Sequence, residues 1–405
     1  MMILSLAWKN IWRNKKRSLI IVAAIIFGLW GGIFSSAIMV GMMESMVETA
    51  ISRDLSHIQI HKQDYEKDMD IRNFIPDGIN VLKITKSVQD VGGASGRTII
   101  AGMAASASSS FGVKIIGVIP QDSKKVTDIY TTIVEGSYFE SSSRNPILIG
   151  SKLANRLNLR LHSKVVLSFQ DLKGGIIYTA YKVVGIFKTN SSQFDEMNVF
   201  VDQTDIFRIL ETEPIIHEIA IRSESVKRID PIKAELRRRF KNLQIESWDE
   251  MSPELAYISQ STGIYMYIFV GIILFALLFG ITNTMLMSVV DRIRELGVLI
   301  AIGMKKSKIF IMIILESVLL SLTGGFGGIA VGIITNTYYA QHGINLTAIS
   351  GSLESFGASA ILYPFLPVLT YIVLTILIVI AANVAAILPA WKATHLVPSE
   401  AIRTY

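Results

Sequence analysis

The sequence predicts an α-helical membrane protein with four transmembrane helices plus a large α+β extracytoplasmic domain. The first observation is four stretches that are almost free of charge, each longer than the roughly 20 apolar residues that cross a hydrocarbon core. They predict transmembrane helices at 18–43, 264–290, 309–336 and 366–388. The second observation is a polar segment, 44–263, which is long enough for one large or two small domains.

The segment 44–263 alternates short predicted strands and helices. A strand, a helix and a strand follow one another within 56–105, and the same order returns within 215–248. Short strands dominate between them. The pattern therefore predicts two βαβ halves with a mostly β insertion. Because the chain has no cysteine, we expect this domain to be stabilised by its core without disulfides.

The formal net charge of +6 lies at the predicted membrane ends and not on a nucleic-acid-binding surface. Residues 44–263 are nearly neutral, and the loop 337–365 has no Lys or Arg. Lys and Arg cluster instead in 1–17, in 291–308 and in the C-terminal tail 389–405. By the positive-inside rule these three segments, and hence both termini, are expected in the cytoplasm. Segments 44–263 and 337–365 are expected on the outside.

The N-terminal segment 1–17 is amphipathic, with Trp8 and Trp12 among its apolar residues and Lys9 and Arg13 among its polar ones. A helix of this kind lies in the membrane interface. A simple orientation signal is the alternative. Since the apolar run that follows is too long for a secretory signal, we expect an uncleaved elbow helix that leads into the first span.

The segment 291–308 is short and charged, and it separates the second and third spans. Ile293, Leu296 and Ile300 recur at i, i+3 and i+7, which places them on one helical face. Gly303 then supplies a helix stop. Because a helix this short gains its stability by packing, the pattern indicates a docking helix. An ordinary cytoplasmic connection is the alternative.

This segment resembles the cytoplasmic coupling motif of FtsX-like ABC-transporter permeases. The residues that fit the pattern are Asp291, Arg292, Glu295, Leu296, Gly297, Val298, Ala301, Ile302 and Gly303. Residues 6–19 and 389–403 resemble the opening and closing segments of the same family. Elements of 116–187 resemble the periplasmic domain of LolC/LolE-type lipoprotein-releasing permeases, and MacB-type efflux permeases share much of that pattern. The resemblance implies a separate ATPase that couples through Arg292, Glu295, Leu296, Gly297, Ala301 and Gly303.

The third span carries Gly324, Gly328 and Gly332 at every fourth position. This spacing clears one helix face and lets another helix approach closely. A nucleotide-binding glycine loop is a poor alternative, because the run lies inside an apolar span. We therefore expect helix packing on this face, and we assign Leu320 to the side that faces lipid.

Glu316 is the sole ionisable residue inside a predicted span. An intramembrane carboxylate is costly and often functional, which would suit a proton-coupled carrier. Glu316 lies only about two turns past Lys308, however, and one carboxylate without a second buried charge makes a poor proton relay. We favour a structural ion pair near the cytoplasmic face.

The sequence contains no Gly-x-x-x-x-Gly-Lys-Ser/Thr phosphate loop, and no nucleophile–base or metal-ligand set stands out. We expect a non-catalytic permease of a bacterial inner-membrane ABC transporter, with no cofactor of its own and with ATP bound by a partner. Its expected partners are an ABC ATPase dimer, a second permease copy or paralogue, membrane lipids, and a lipoprotein or other amphipathic cargo, and no nucleic acid. The expected activity is lipoprotein release. The alternatives are a MacB-type efflux permease with a periplasmic adaptor and a proton-coupled carrier that uses Glu316.

Overall fold

The computed structural model describes residues 11, 13, 15–65, 69–139, 144–349 and 358–395. The chain divides into two compact units. We call the unit formed by Glu44–Ser259 and Leu346–Ala360 the α/β domain. We call the unit formed by the rest of the chain the membrane unit.

The helices of the described residues are α1 (Lys15–Ala50), α2 (Gly78–Lys86), α3 (Pro120–Ser123), α4 (Ser151–Arg156), α5 (Ser192–Met197), α6 (Gln203–Leu210), α7 (Ile229–Arg239), α8 (Trp248–Met251), α9 (Pro253–Asp291), α10 (Ile293–Ala301), α11 (Lys306–His342) and α12 (Val368–Thr394). A π-helical turn, Ile51–Leu55, follows α1. Turns of 3-10 helix lie at Ile129–Thr132, Val226–Arg228 and Thr347–Ile349.

The strands are β1 (Ile58–Lys62), β2 (Val91–Ala105), β3 (Ser110–Val118), β4 (Ile133–Gly136), β5 (Pro146–Gly150), β6 (Lys164–Gln170), β7 (Ile176–Phe187), β8 (Asn198–Asp202), β9 (Glu218–Ser223), β10 (Leu243–Ser247), β11 (Ile344–Asn345) and β12 (Ile361–Leu362). The last two form a separate antiparallel pair.

Within the described ranges, four helices are long and apolar enough to cross a membrane, namely α1, α9, α11 and α12. Helix α11 is the most buried of them, with 50% of its most apolar stretch buried. Polar side chains connect it to two neighbours: Trp30 Nε1 of α1 donates to Thr335 Oγ1 at 3.2 Å, and Ser317 Oγ donates to the carbonyl of Ala382 in α12 at 3.1 Å. These helices and the α/β domain confirm the predicted fold class.

The two predicted βαβ halves interleave in one antiparallel sheet. The first half is β1–α2–β2 and the second is β9–α7–β10, and the strand order is β10-β1-β9-β2. Each half therefore places its two strands on either side of a strand from the other half. One apolar cluster contains Val81 and Leu82 of α2, Leu236 of α7, and Ile60 of β1. Neither half could bury its apolar residues without the other.

The predicted β insertion closes into a six-stranded barrel that shares the long strand β2 with the sheet. Its ring runs from β2 to β3, β8, β5, β7 and β6, and β6 pairs back with β2. The pairs β3–β8 and β5–β7 are parallel and the others are antiparallel. Branched side chains such as Ile115, Ile149, Val165 and Val199 form its core. Closure leaves few strand edges unpaired.

Candidate functional site

The segment predicted to dock a partner forms helix α10, Ile293–Ala301. Its inner face follows the predicted spacing, because Leu296 is 2% exposed in the main apolar cluster of the membrane unit and Ile300 packs against that cluster. Gly297 is also buried. Apolar packing on this face holds a helix that is too short to be stable alone in water.

Arg292, just before α10, forms an ion pair with Glu316 of α11. Nη1 of Arg292 lies 3.2 Å from Oε1 and 3.1 Å from Oε2 of the carboxylate. Both side chains are largely buried. Removing one partner of such a pair leaves an uncompensated charge. The pair therefore fixes the start of α10 against α11.

Glu295 extends this contact into a network of alternating charges. Arg13 donates hydrogen bonds to both carboxylate oxygens of Glu295, and Nε of Arg292 lies 3.4 Å from one of them. The hydrogen bond from Arg13 holds the pKa of the Glu295 carboxyl below its ordinary value, and the same bond raises the pKa of the Arg13 guanidinium. The order Arg13, Glu295, Arg292, Glu316 joins the N-terminal segment, α10 and α11.

Gly303 ends α10 in the left-handed backbone region, with φ of +95°. The N–H of Gly303 donates to the carbonyl of Ile300 at 3.0 Å, and the N–H of Met304 donates to that of Leu299 at 3.0 Å. These two bonds form the Schellman arrangement, which satisfies carbonyls at a helix C-terminus and favours glycine. The next helix, α11, then begins at Lys306.

The outward face of α10 is apolar and open. Val298 and Ile302, four residues apart, are 44% and 80% exposed, and Ala301 beside them is exposed. Arg294 and Lys305 are exposed at its two ends. We call these five residues the coupling ridge. Apolar anchors at i and i+4 with a polar rim are typical of a helix that enters a partner's groove.

The six predicted coupling residues have different positions in this arrangement. Leu296 and Gly297 are buried, Arg292 and Glu295 form ion pairs, and Gly303 ends the helix. Ala301 is the one member of the six that lies on the coupling ridge. Val298 and Ile302 fit the family motif but were not among the six predicted coupling residues, and Arg294 and Lys305 were assigned no role. The sequence signal that could have identified all four is that they lie off the face formed by Ile293, Leu296 and Ile300.

The glycine face of α11 packs against α1. A Cβ added at Gly324 would lie 2.8 Å from the Cβ of Ile25, and one added at Gly328 would lie 2.8 Å from the Cβ of Leu29. At Gly332 the nearest atom, in Ile33, would be 3.0 Å away. A side chain at any of these positions would push the helices apart.

The sequence analysis assigned Leu320 to the side of α11 that faces lipid, and this prediction is wrong. Leu320 is 5% exposed and belongs to the core of the membrane unit. The reason is its spacing: it lies four residues before Gly324 and so continues the face that packs inward. On the same helix, Ile334 is 69% exposed and faces outward.

The register of α1 and α11 places Glu316 at the edge of the apolar layer. Residues 25, 29 and 33 lie opposite 324, 328 and 332, so partner numbers differ by 299 each time. Continued along both helices, this register sets Glu316 level with Arg17, the last charged residue before the apolar stretch of α1. A carboxylate at that depth can pair with Arg292 next to the polar interface.

Two segments that the sequence analysis described, the elbow helix and the C-terminal tail, lie partly or mostly outside the described residues. The elbow helix at 1–17 lies mostly outside them, and so does the part of the C-terminal tail beyond His395. Among the residues that the structure describes, no group of three or more His, Asp or Glu is placed to hold a metal ion.

Comparisons with known proteins match both units. The model of the FtsX-like permease C-terminal domain matches residues 267–398, and the model of the MacB-like periplasmic core domain matches residues 18–239. The chain is 29% identical over 166 residues to the macrolide export ATP-binding/permease protein MacB of Escherichia coli, an alignment that covers 39% of this chain and 26% of that protein. It is 25% identical over 209 residues to an uncharacterized ABC transporter permease of Methanocaldococcus jannaschii, covering 50% of this chain and 51% of the relative.

Among solved structures, the periplasmic region of MacB from Actinobacillus actinomycetemcomitans aligns with a TM-score of 0.37 and 13% identity, covering 52% of this chain and 97% of that structure. The chain spans about a quarter of the length of the MacB relative and about half of that of the archaeal permease. One of the two family models covers more than half of the chain. The chain therefore belongs to the family of FtsX-like ABC-transporter permeases with a MacB-like periplasmic core domain.

Proposed function

We propose that this chain is the non-catalytic membrane subunit of an ABC transporter and that a separate ATPase dimer docks on the coupling ridge. The observation that carries the proposal is the exposed pair Val298 and Ile302, on a helix whose opposite face is packed and ion-paired. Exposed apolar residues that are rimmed by polar ones are typical of surfaces that bind another protein. ATP is bound and hydrolysed by that partner.

The contacts of the membrane unit supply a continuous route for a displacement of the ridge. A push on α10 reaches α11 through Leu296 and the Arg292–Glu316 pair. It passes from α11 to α1 through the glycine face, where side-chain and backbone atoms are in direct contact. The chain enters the α/β domain within the last turns of α1, at Glu44, and leaves it within the first turns of α9, at Ser259. Tightly packed elements of this kind move as units and not by gradual deformation.

The proposed orientation follows the charge distribution. The coupling ridge, Lys15 and Lys16, and both termini lie on the cytoplasmic side of a bacterial inner membrane, with the α/β domain on the other side. A single copy with four spans is too small to enclose an aqueous path, so the working unit includes a second permease copy or a paralogue.

The cargo is an amphipathic molecule, and two candidates follow. Release of lipoproteins from the membrane is the function that the pattern of the α/β domain suggested. Export of small molecules with a periplasmic adaptor is supported by the MacB relatives, which are named for macrolide export. Depletion of the chain distinguishes them. Lipoprotein release predicts lipoproteins stranded in the inner membrane, whereas efflux predicts normal lipoprotein distribution with increased sensitivity to exported drugs.

The docking proposal is tested by changing the ridge without changing the fold. Ile302→Glu places a charge on an exposed apolar anchor, whereas Ile302→Leu keeps the anchor and serves as a matched control. We expect the Glu variant to insert and fold normally but to lose at least tenfold in ATPase retained on purification in mild detergent. Normal ATPase retention and transport in both Ile302→Glu and Val298→Glu would overturn the proposal.

A further inference from the structure

An apolar groove lies between the beginning of α1 and α11. Its walls include Leu19 and Val22 of α1 and Leu319, Leu320 and Thr323 of α11, and Lys15 and Lys16 lie at one end. The groove encloses about 420 Å³. Pockets that bind small apolar ligands typically enclose about 300–1,000 Å³. The groove is therefore large enough for an acyl chain.

The groove exists because the glycine face stops at Gly324. Beyond Gly324, toward Gly332, the two helices touch at each turn. On the other side, toward the start of α11 at Lys306, the helix has no glycine, and the groove opens between the two helices there.

The groove extends over about two thirds of one leaflet of a bilayer. Lys15 and Val22 are about 10 Å apart along the helix axis at a rise of about 1.5 Å per residue. Half of a hydrocarbon core measures about 15 Å. Leu19, on the wall of the groove, and its neighbour Ile20 are largely exposed in the described structure, as expected for side chains that contact lipid.

The charges at the end of the groove select for a negative head group. Lys15 and Lys16 are exposed and form no ion pair with a carboxylate among the residues that the structure describes. By the register of α1 and α11, both lie near the level of Glu316, at the edge of the apolar layer. Lysines at that depth attract the phosphates of anionic lipids.

We propose that this groove binds an anionic phospholipid from the leaflet on the α10 side. One acyl chain lies along Leu19, Val22 and Leu319, and the head-group phosphate lies between Lys15 and Lys16. The head group lies near the level of the Arg292–Glu316 pair, and the acyl chain lies about one to two turns further along α11. Lipid binding in this groove does not depend on which cargo is moved.

The test uses the full chain, stripped of lipid in mild detergent, with phosphatidylglycerol and phosphatidylcholine of identical acyl chains. Native mass spectrometry measures how much of each lipid is retained. We expect preferential retention of phosphatidylglycerol, and we expect Lys15→Gln with Lys16→Gln to reduce its affinity about tenfold or more. The control variant Lys308→Gln with Lys392→Gln removes two exposed lysines on the same side outside the groove and should retain the preference.

A second pair of variants tests the acyl chain separately from the charge. Thr323→Phe fills the groove, whereas Leu322→Phe adds an aromatic ring at an exposed neighbouring position. Thr323→Phe should reduce retention of both lipids, and Leu322→Phe should not. Equal retention of the two lipids by the unmodified chain, equal losses in the two lysine pairs, or no effect of Thr323→Phe would each overturn the proposal.

Discussion

Arg292 and Glu316 form an ion pair in which Nη1 of the arginine lies 3.2 Å and 3.1 Å from the two carboxylate oxygens. The pair lies at the junction of α10 and α11, level with the start of the apolar stretch of α1. A carboxylate that is held by a guanidinium at the edge of the membrane suits a structural contact better than a proton relay. This position makes α10 part of the membrane unit and not a loosely attached loop.

Reversing only one charge of this pair should lower the stability of the protein more than reversing both. Arg292→Glu places two carboxylates together, and Glu316→Arg places two guanidiniums together, in a largely buried site. Breaking a buried pair costs about 3–5 kcal/mol. We expect each single variant to unfold at a clearly lower temperature in detergent and the double variant to recover part of the loss, because it still lacks the contact between Arg292 and Glu295. A double variant no better than the singles would show that the pair is not the contact that matters.

Alanine at Gly328 should destabilise the packing of α11, whereas alanine at Gly325 on the same helix should not. Gly328→Ala places a Cβ 2.8 Å from the Cβ of Leu29, whereas at Gly325 the nearest side-chain atoms would be 3.8 Å away. Replacing glycine by alanine raises the helix propensity equally in both variants, so the difference in their stability measures packing alone. We expect Gly328→Ala to be less stable than Gly325→Ala by about 1–3 kcal/mol, measured by thermal unfolding. Equal stability of the two would mean that the helices do not pack on this face.

Gly303 should be replaceable by asparagine more readily than by alanine. Space is open around a Cβ at this position, so the cost comes from the backbone at φ of +95° and not from a clash. The left-handed conformation costs an alanine about 1–2 kcal/mol, and asparagine adopts it more readily. ATPase retention on purification should fall in the order Gly303, Gly303→Asn, Gly303→Ala. The same retention in all three proteins would argue against a role for the helix stop.

Asp195 of α5 should make the stability of the surrounding part of the α/β domain depend on pH. The carboxylate is buried and accepts hydrogen bonds from the N–H of Thr189 at 3.0 Å and 3.1 Å and from its hydroxyl at 2.7 Å. Burial raises the pKa of Asp195 to about 6. Because this value exceeds that of the unfolded chain, the folded domain binds the proton more tightly, and stability rises as pH falls through 6.

Lowering the pH from 7 to 5 should therefore stabilise this region by about 1 kcal/mol. Hydrogen exchange of the Thr189 amide in the full-length protein, corrected for the intrinsic exchange rate, measures the change. In the Asp195→Asn variant this change in the protection of the Thr189 amide between pH 7 and pH 5 should disappear. An identical pH dependence in the two proteins would mean that Asp195 remains charged in the folded state.

Local patterns predicted the elements well because each depends on neighbouring residues. Absence of charge located the four long helices, and the i, i+3, i+7 spacing identified the buried face of α10, where Leu296 is 2% exposed. Alternation located most strands. The length of strand β2 was not predicted: it begins at Val91 because it continues past an irregular register at Gly93 to pair with β9.

The remaining features depend on contacts between distant segments. Barrel closure requires β6 to pair with both β2 and β7, and no local pattern encodes that choice. The Arg292–Glu316 pair depends on how α10 and α11 are joined, which Gly303 decides. The error at Leu320 was of another kind, because its spacing of four from Gly324 already indicated the packed face.

In the proposed complex an ABC ATPase covers the outward face of α10. Site-specific photo-crosslinking from position 302 in intact cells tests this docking, with the exposed position 392 near the end of α12 as the control. We expect a photoreactive residue in place of Ile302 to crosslink to the ATPase subunit much more efficiently than one in place of Lys392. No crosslink to the ATPase from position 302, or equal crosslinking from both positions, would show that the ATPase does not dock on this face.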